Sequence, residues 1–442
     1  MIWTSQTSAS DNSWLSVTYG QGANIPNGLF VAVSYSGTGN RVMTSPDGIT
    51  WTSRTSAADN FWTGVTYGQG ANIPNGLFVA VSNDGFQNRV MTSPDGITWT
   101  SQTTIYDCDS DWNSITYANG LFVAVGFASV MTSPDGITWT SRTSAAITFW
   151  TSVTYGQNEN IPNGLFVAVA SSNASSDLNR VMTSPDGITW TLRSSASNNS
   201  WNRVTYGNGL FVAVARSGTG NRVMTSPDGI TWTSRTSASD NNWSSITYGQ
   251  NANIPNGLFV AVANSGTENR VMTSQDGITW RSEQSASDNY WTSVTYGQGA
   301  NIPNGLFIAV STNGFGNRVM TSTTAKATVQ VNNKMDIKSL TLMEILEGEF
   351  ILEGEFILED YREGGFTLTV SKPKPPIISE RITLFYTAKD FKELGISASK
   401  LKERGFTATI LAQTFGFSKD ELIEAGFSED EIEALFKNNI KR

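Results

Sequence analysis

The stretch Ser45-Pro46-Asp47-Gly48-Ile49-Thr50-Trp51 decides the fold, because the chain repeats it. Four identical copies follow, and they begin at Ser93, Ser133, Ser184 and Ser226. A further copy, with Gln275 in place of the proline, begins at Ser274. The Asp-Gly pair is a turn signal, since the carboxylate accepts backbone N–H bonds and glycine adopts a positive φ without steric cost. β-Type residues on both sides predict a hairpin at each copy.

Three other markers each recur seven times. The first is an inner tryptophan, at Trp14, Trp62, Trp112, Trp150, Trp201, Trp243 and Trp291. The second is Asn-Gly-Leu-Phe-(Val/Ile)-Ala-Val, which starts at Asn27, Asn75, Asn119, Asn163, Asn208, Asn256 and Asn304. The third is Val-Met-Thr-Ser, which starts at Val42, Val90, Val130, Val181, Val223, Val271 and Val319. Repeats of 40 to 51 residues with several β-type runs each are typical of propeller blades.

Each repeat offers four strands, which we name A to D. In the first repeat they are predicted over residues 14–19, 29–33, 41–44 and 49–52. Strand B is apolar on both faces, as expected for a sheet covered on both sides. The two shortest repeats lack the insert Gly-Gln-(Gly/Asn)-x-Asn-Ile-Pro, so we assign the length variation to a loop between strands A and B.

The two ends of the repeat region predict a closed ring. The seventh repeat lacks the turn motif and strand D, whereas Ile2-Trp3-Thr4-Ser5 supplies an unpaired strand D at the start. Without closure, a bare strand edge would invite aggregation. We therefore predict an all-β, seven-bladed β-propeller over residues 1–325. The N-terminal strand should pair with residues 319–321, with Trp3 beside Met320.

The repeated turn resembles the Asp-box, or BNR repeat, of sialidase-like β-propellers, which reads roughly S-x-D-x-G-x-T-W. The copies here are one residue shorter between Asp and Trp. In that family the motif is a structural turn at the propeller rim and not the active site. The resemblance therefore implies a structural role for Asp47, Asp95, Asp135, Asp186, Asp228 and Asp276.

Composition excludes several classes of function. The net charge of −9 disfavours a phosphate-binding footprint for nucleic acid. The chain has no histidine, the commonest general base, and its one cysteine, Cys108, excludes an intramolecular disulfide and a cysteine-based zinc site. No apolar run approaches the roughly 20 residues of a membrane helix. No signal peptide is visible at the start of the sequence. We expect no metal and no cofactor.

The charged tail after the ring divides into three segments. Residues 326–370 form an acidic repeat segment that fits neither a helix nor a strand period. Residues 371–378 are rich in proline and predict a stiff linker. Residues 379–442 predict short α-helical repeats, with capping boxes at Ser418 with Glu421 and at Ser428 with Glu431. Short helical repeats of this kind resemble segments of large-virus and phage structural proteins.

A candidate ligand site is the arginine that precedes strand C in six repeats. These residues are Arg41, Arg89, Arg180, Arg222, Arg270 and Arg318, and the third repeat has Ser129 instead. The B–C and D–A loops leave one face of a propeller, so the arginines would form a ring there. Guanidinium groups suit carboxylates and sugar hydroxyls. Alternatively, each arginine pairs with a nearby aspartate and orders a loop.

Two further candidates concern catalysis and calcium. A sialidase site needs several arginines, a Tyr–Glu pair and an acid, but the ring holds only Glu159, Glu268 and Glu283 as glutamates. Family enzymes also have six blades. Asp107, Asp109 and Asp111 have the spacing that begins a calcium loop but lack its Gly and later Glu, which favours a solvated acidic loop.

The sequence thus predicts a non-enzymatic binding or structural protein. The ring would present loops to a ligand or host surface, and the C-terminal helices would dock a protein partner in a viral or phage particle. A glycan-binding lectin with repeated sites around the ring is the alternative. A sialidase-like hydrolase is the least favoured hypothesis.

Overall fold

The computed structural model describes residues 1–104, 110–171, 178–323, 365–370, 380–385, 397–403, 407–413, 417–428 and 432. The chain divides into two compact units, residues 1–324 and 325–442. The first unit contains seven four-stranded antiparallel sheets, which are the blades of a seven-bladed propeller. The predicted fold class is therefore confirmed.

In six blades, strands A to D follow one another in the sheet. Strands A are β2 (Trp14–Gly22), β6 (Trp62–Gly70), β10 (Trp112–Ala118), β14 (Trp150–Asn158), β18 (Trp201–Gly207), β22 (Trp243–Asn251) and β26 (Trp291–Gly299). Strands B are β3 (Ile25–Ser34), β7 (Ile73–Ser82), β11 (Leu121–Gly126), β15 (Ile161–Ala170), β19 (Leu210–Ala215), β23 (Ile254–Ala263) and β27 (Ile302–Ser311). The A strands of neighbouring blades contact each other around the central channel.

The outer strands are shorter. Strands C are β4 (Val42–Ser45), β8 (Val90–Ser93), β12 (Ser129–Ser133), β16 (Val181–Ser184), β20 (Val223–Ser226), β24 (Val271–Ser274) and β28 (Val319–Thr323). Strands D of blades one to six are β5 (Thr52–Arg54), β9 (Thr100–Gln102), β13 (Thr140–Thr143), β17 (Thr191–Arg193), β21 (Thr233–Arg235) and β25 (Arg281–Glu283). Strand D begins later than predicted, because the Asp47 turn holds residues 49–51 outside the ladder.

The N-terminal strand β1 (Ile2–Gln6) closes the ring as predicted. It pairs antiparallel with β28, and the order in the seventh sheet is β1-β28-β27-β26. The predicted register is off by two residues, since Trp3 lies opposite Ser322 and Met320 lies opposite Ser5. Trp3 and Met320 still share one buried cluster.

The assignment of the insert between strands A and B to a loop is wrong. In blade one it extends both strands, so that β2 runs to Gly22 and β3 begins at Ile25, with a register shift between Gly20 and Gly22. The blades without the insert have shorter hairpins. In blade three the hairpin closes at Asn119-Gly120, where both residues have positive φ, as a two-residue hairpin turn requires. The repeats therefore differ in the length of the A–B hairpin.

The core lies between blades. One cluster contains Trp14, Phe30 and Trp51 of blade one together with Ile308 and Val319 of blade seven. Six further clusters repeat this arrangement around the ring. Because strand B is covered by both neighbouring blades, residues 30–33 are fully buried. This confirms that strand B is apolar on both faces for a packing reason.

The second unit contains two strands and three helices among its described residues. Strands β29 (Gly365–Val370) and β30 (Glu380–Phe385) pair antiparallel, so segments on either side of the proline-rich residues 371–378 meet in one sheet. The helices are α1 (Ala398–Glu403), α2 (Ala408–Gln413) and α3 (Lys419–Glu424). The capping box at Ser418 is present, whereas Glu431 and most of residues 326–370 lie outside the described residues. None of the helices described is long and apolar enough to span a bilayer.

Candidate functional site

The repeated turn is built around the carboxylate of Asp47. Its Oδ1 accepts hydrogen bonds from the backbone N–H groups of Ile49 (2.9 Å) and Thr50 (2.8 Å) and from the Ser45 hydroxyl (3.0 Å). The indole N–H of Trp51 donates to the Gly48 carbonyl at 2.9 Å. The same carboxylate bonds occur in the other five turns, at Asp95, Asp135, Asp186, Asp228 and Asp276.

These hydrogen bonds hold the six carboxylates ionised. Burial by itself would raise the pKa of Asp47, but the N–H groups of Thr50 and Ile49 and the Ser45 hydroxyl outweigh it and lower the pKa below its usual value. The five other aspartates have lowered pKa values for the same reasons. The carboxylates therefore fasten turns, which is a structural use of their charge.

Each turn also seals the boundary to the preceding blade. A Cβ added to Gly48, whose φ is +77°, would lie 2.5 Å from Cδ1 of Ile308 in blade seven. Gly96 and Gly136 stand in the same relation to blades one and two. The turn thus fits closely against strand B of its neighbour, which explains why this position requires glycine.

The predicted arginine ring lies on the face formed by the B–C and D–A loops, which we call the loop face. Strands alternate in direction, so these two sets of loops leave the sheets at the same end. Arg41 donates from Nε to the Gly37 carbonyl (2.8 Å) and from Nη1 to the Tyr35 carbonyl (2.9 Å), both in its own loop. Its Nε also lies 3.6 Å from Oδ1 of Asp59, in the loop that enters blade two.

The same bridge recurs around the ring. The further pairs are Arg89 with Asp111 (3.1 Å), Arg222 with Asp240 (3.6 Å), Arg270 with Asp288 (3.4 Å) and Arg318 with Asp11 (3.6 Å). The five paired arginine side chains are only 10 to 14% exposed. Arg180 is 3% exposed, and its Nη2 donates to the Asn198 side chain. These guanidinium groups therefore join the loops of one blade to the entry of the next.

Asparagines complete this belt. Asn12 donates from Nδ2 to the backbone carbonyl (2.9 Å) and side-chain oxygen (3.1 Å) of Asn40, which ties the D–A loop to the B–C loop of the same blade. Equivalent pairs are Asn60–Asn88, Asn199–Asn221, Asn241–Asn269 and Asn289–Asn317. Together with the Arg–Asp bridges, they form a chain of polar contacts that favours the loop-ordering interpretation of the arginines.

The candidate catalytic and calcium residues do not form a cluster. Glu159 lies in the A–B turn of blade four, Glu268 in a B–C loop, and Glu283 on strand β25, where it pairs with Arg281 at 3.0 Å. Asp107, Cys108 and Asp109 lie outside the described residues, and Asp111 pairs with Arg89. Within the described part of the chain, no group of three or more acidic or cysteine side chains could hold a metal ion.

The loop face carries exposed aromatic side chains that the sequence analysis did not single out. They are Phe61 (44% exposed), Phe86 (68%), Phe127 (40%), Phe149 (47%), Tyr290 (50%) and Phe315 (92%). Phe127 and Phe149 pack together with ring centroids 4.6 Å apart. Arg41 lies 5.8 Å above the Phe61 ring, and Arg270 lies 5.6 Å above the Tyr290 ring. This face therefore combines apolar rings with ordered charges.

The central channel is lined by the beginnings of the A strands. Serines at the second position after the inner tryptophan accept a hydrogen bond from the next blade, as Ser16 Oγ does from Val65 N (3.2 Å) and Ser152 Oγ from Val204 N (3.2 Å). Two blades depart from this pattern, with Gly64 in blade two and Arg203 in blade five. Arg203 donates instead to the Thr151 carbonyl at 2.9 Å.

A cavity of about 250 Å³ opens around these residues, lined by Arg203 and Arg216 among uncharged side chains from every blade. Neither arginine belongs to a repeated motif, so what the repeats share gave no signal for them. Aligning the repeats for what differs would have found them: Arg216 stands where the other blades have Tyr35, Asn83, Phe127, Ser171, Asn264 and Thr312.

Comparison with known proteins supports the fold. No family model and no curated protein matches the sequence. Among solved structures, the chain is similar to YCF48 from Cyanidioschyzon merolae, with 12% identity, a TM-score of 0.50, and coverage of 73% of this chain and 98% of that one. It is also similar to BBS1N in a complex with ARL6DN, with 6% identity, a TM-score of 0.50, and coverage of 73% and 94%. At these identities the likeness is one of fold alone.

Proposed function

We propose that this chain is a non-enzymatic binding protein whose loop face receives a protein partner. The observation that carries the proposal is the distribution of exposed aromatic rings. Among the residues that the structure describes, six aromatic side chains that are at least 40% exposed lie on this one face. Aromatic residues are enriched at protein interfaces, where they supply contact area at a low cost in side-chain entropy.

The positions of these rings support a surface whose residues serve binding and are not copies left by duplication. Phe61, Phe149 and Tyr290 precede an inner tryptophan, where other repeats carry Ser13 and Ser200. On the opposite face, the exposed apolar residues include the isoleucines of the repeated turn, at Ile49, Ile97, Ile137, Ile188, Ile230 and Ile278. Duplication alone explains the isoleucines. It does not explain aromatic rings that differ from repeat to repeat.

The polar belt supports the same role. Because the arginines and asparagines order the loops before any partner arrives, binding would cost less conformational entropy. A structural neighbour, BBS1N, is described in a complex with the protein ARL6DN. We also propose that the chain belongs to the Asp-box family, which its repeated turn resembles, and that the C-terminal helices dock a protein partner within a viral or phage particle.

The test compares two four-site variants of the full chain. The loop-face variant carries Phe61→Ser, Phe86→Thr, Phe149→Ser and Phe315→Thr, which are residues that other repeats use at these positions. The control carries Ile49→Thr, Ile97→Thr, Ile137→Thr and Ile188→Thr on the opposite face. Partners captured by the unaltered chain are identified by mass spectrometry, and the affinity of each purified partner is measured for all three proteins.

We expect the loop-face variant to weaken binding by about a hundredfold, since a few buried aromatic anchors dominate such interfaces. The control should bind as the unaltered chain does. Equal binding by the loop-face variant would refute the proposal. Removal of residues 325–442 with no effect on assembly or particle incorporation would refute the docking role of the tail.

Glycans are the second candidate ligand, favoured by the arginines that lie above Phe61 and Tyr290. A glycan array probed with the same proteins separates the two candidates. Binding that is lost in a variant of several ring arginines would favour the lectin. Turnover of a fluorogenic sialoside would instead indicate a hydrolase.

A further inference from the structure

Two arginines break the symmetry of the propeller at its centre. Arg203 replaces the serine or glycine that the six other blades place in the channel, and Arg216 replaces an uncharged residue at the end of strand B. Both changes occur in blade five, and both side chains line the same 250 Å³ cavity. In near-identical repeats, two like charges brought to one place need an explanation beyond duplication.

The fold gains little from these charges. Arg203 gives up the serine hydroxyl that accepts a hydrogen bond from the next blade elsewhere in the ring. Within the described part of the chain, its side chain donates one hydrogen bond, from Nη1 to the Thr151 carbonyl. A guanidinium has five N–H donors. Among the residues that the structure describes, no carboxylate forms an ion pair with Arg203 or Arg216, whereas five of the ring arginines have one.

The surroundings suit an anion. Burial, with a smaller contribution from the positive charge of Arg216, lowers the pKa of Arg203 to about 10, so that the group is still charged at neutral pH. Arg203 also borders a deeper cavity of about 120 Å³, lined by Ser16, Ser114, Ser245 and Ser293. The described lining of both cavities is otherwise uncharged.

We propose that Arg203 and Arg216 bind a small oxyanion, of the carboxylate or phosphate class, in the mouth of the central channel on the loop face. Two guanidinium groups at one site can form paired charge-assisted hydrogen bonds to such a group. The larger cavity measures about 250 Å³, which is below the roughly 300–1,000 Å³ typical of sites for drug-sized ligands, so the anion would be small. This inference concerns the isolated chain and does not depend on the proposed protein partner.

The local nature of the site makes it measurable. Residues 1–324 contain 13 arginines and no lysine against 18 acidic residues, so the propeller as a whole does not attract anions. Saturable binding would then report a specific site. The probes are sodium phosphate and sodium succinate, titrated into the full chain by calorimetry at constant ionic strength and neutral pH.

The variants are Arg203→Ser and Arg216→Ser, which restore residues found in other blades. The matched control is Arg235→Ser, which removes the same charge from strand D of blade five, where Arg235 donates to Thr225. We expect each channel variant to weaken binding at least tenfold, since each removes charge-assisted hydrogen bonds. The control should bind as the unaltered chain does.

Two results would overturn the proposal: no saturable binding of either probe to the unaltered chain, or equal binding by the double variant Arg203→Ser/Arg216→Ser. The difference between the phosphate and succinate affinities decides the class of oxyanion. Arg203→Lys keeps the charge but loses the planar fork, and we expect it to bind with intermediate affinity. If Arg203→Ser did not fold, the exposed Arg216→Ser variant would still decide the matter.

Discussion

Replacement of Trp3 by alanine tests the closure of the ring. Trp3 is 7% exposed and packs in a cluster with Trp291, Phe307 and Met320. Removing a buried tryptophan costs about 3–5 kcal/mol. With an unfolding entropy of about 2.1 cal/mol/K per residue over the 324 residues of the ring unit, the variant should melt about 4–7 °C lower.

A second tryptophan sharpens the test. Trp139 is buried to the same degree (5% exposed), and its indole N–H donates to the Gly136 carbonyl at 3.0 Å. The indole N–H of Trp3 meets no acceptor among the described residues. Trp139→Phe should therefore cost about 1 kcal/mol more than Trp3→Phe, the value of one hydrogen bond.

The assay is thermal unfolding followed by tryptophan fluorescence and circular dichroism. Ile2→Ala is the control, since Ile2 is 61% exposed on the same strand. If Trp3→Ala melted no lower than Ile2→Ala, the N-terminal strand would not be the outer strand of blade seven. The interpretation of the ring as closed by β1 would then be wrong.

Three further predictions concern the repeated positions. Gly48→Ala should lower the free energy of unfolding by about 2–5 kcal/mol, because the alanine would be both strained and overpacked. Gly120 has a φ of +76° but open space around it, so Gly120→Ala should lower the free energy of unfolding only by the strain of about 1 kcal/mol. Denaturant unfolding measures both values. Gly64→Ser should raise the melting temperature, since it supplies the hydroxyl that the N–H of Ile115 lacks; a lower melting temperature would contradict the role of the serines. Folding lowers the pKa of Asp47 and of its equivalents. The ionised carboxylates therefore stabilise the ring fully above about pH 4, and this stabilisation is lost as the pH falls through the folded-state pKa. Acid titration should destabilise the ring, and the Asp47→Asn variant should lose less stability over this range than the unaltered chain.

Sequence periodicity was sufficient for the architecture. Seven copies of the inner tryptophan give the number of blades, and the missing seventh turn motif together with Trp3 gives the closure. These inferences hold because a blade cannot bury strand B alone, so its pattern of apolar residues already encodes the presence of neighbours. The sequence could not give the register of β1 or the extension of the A–B hairpin, since a shift of two residues keeps the same side chains on the same face.

The candidate site divides in the same way. The repeated residues were visible in the sequence. From the sequence we predicted two alternative roles for the six arginines, namely a ligand site and ion pairs with aspartates. Only the tertiary structure showed that Arg41 meets Asp59 of the next loop, that Phe61 and Phe315 share one exposed face, and that Arg203 and Arg216 meet in one channel. The reason is physical. Hydrophobic periodicity is a local property of the chain, whereas each site consists of side chains from several blades that lie together at the axis or on one face. Those side chains come together only once the ring has closed.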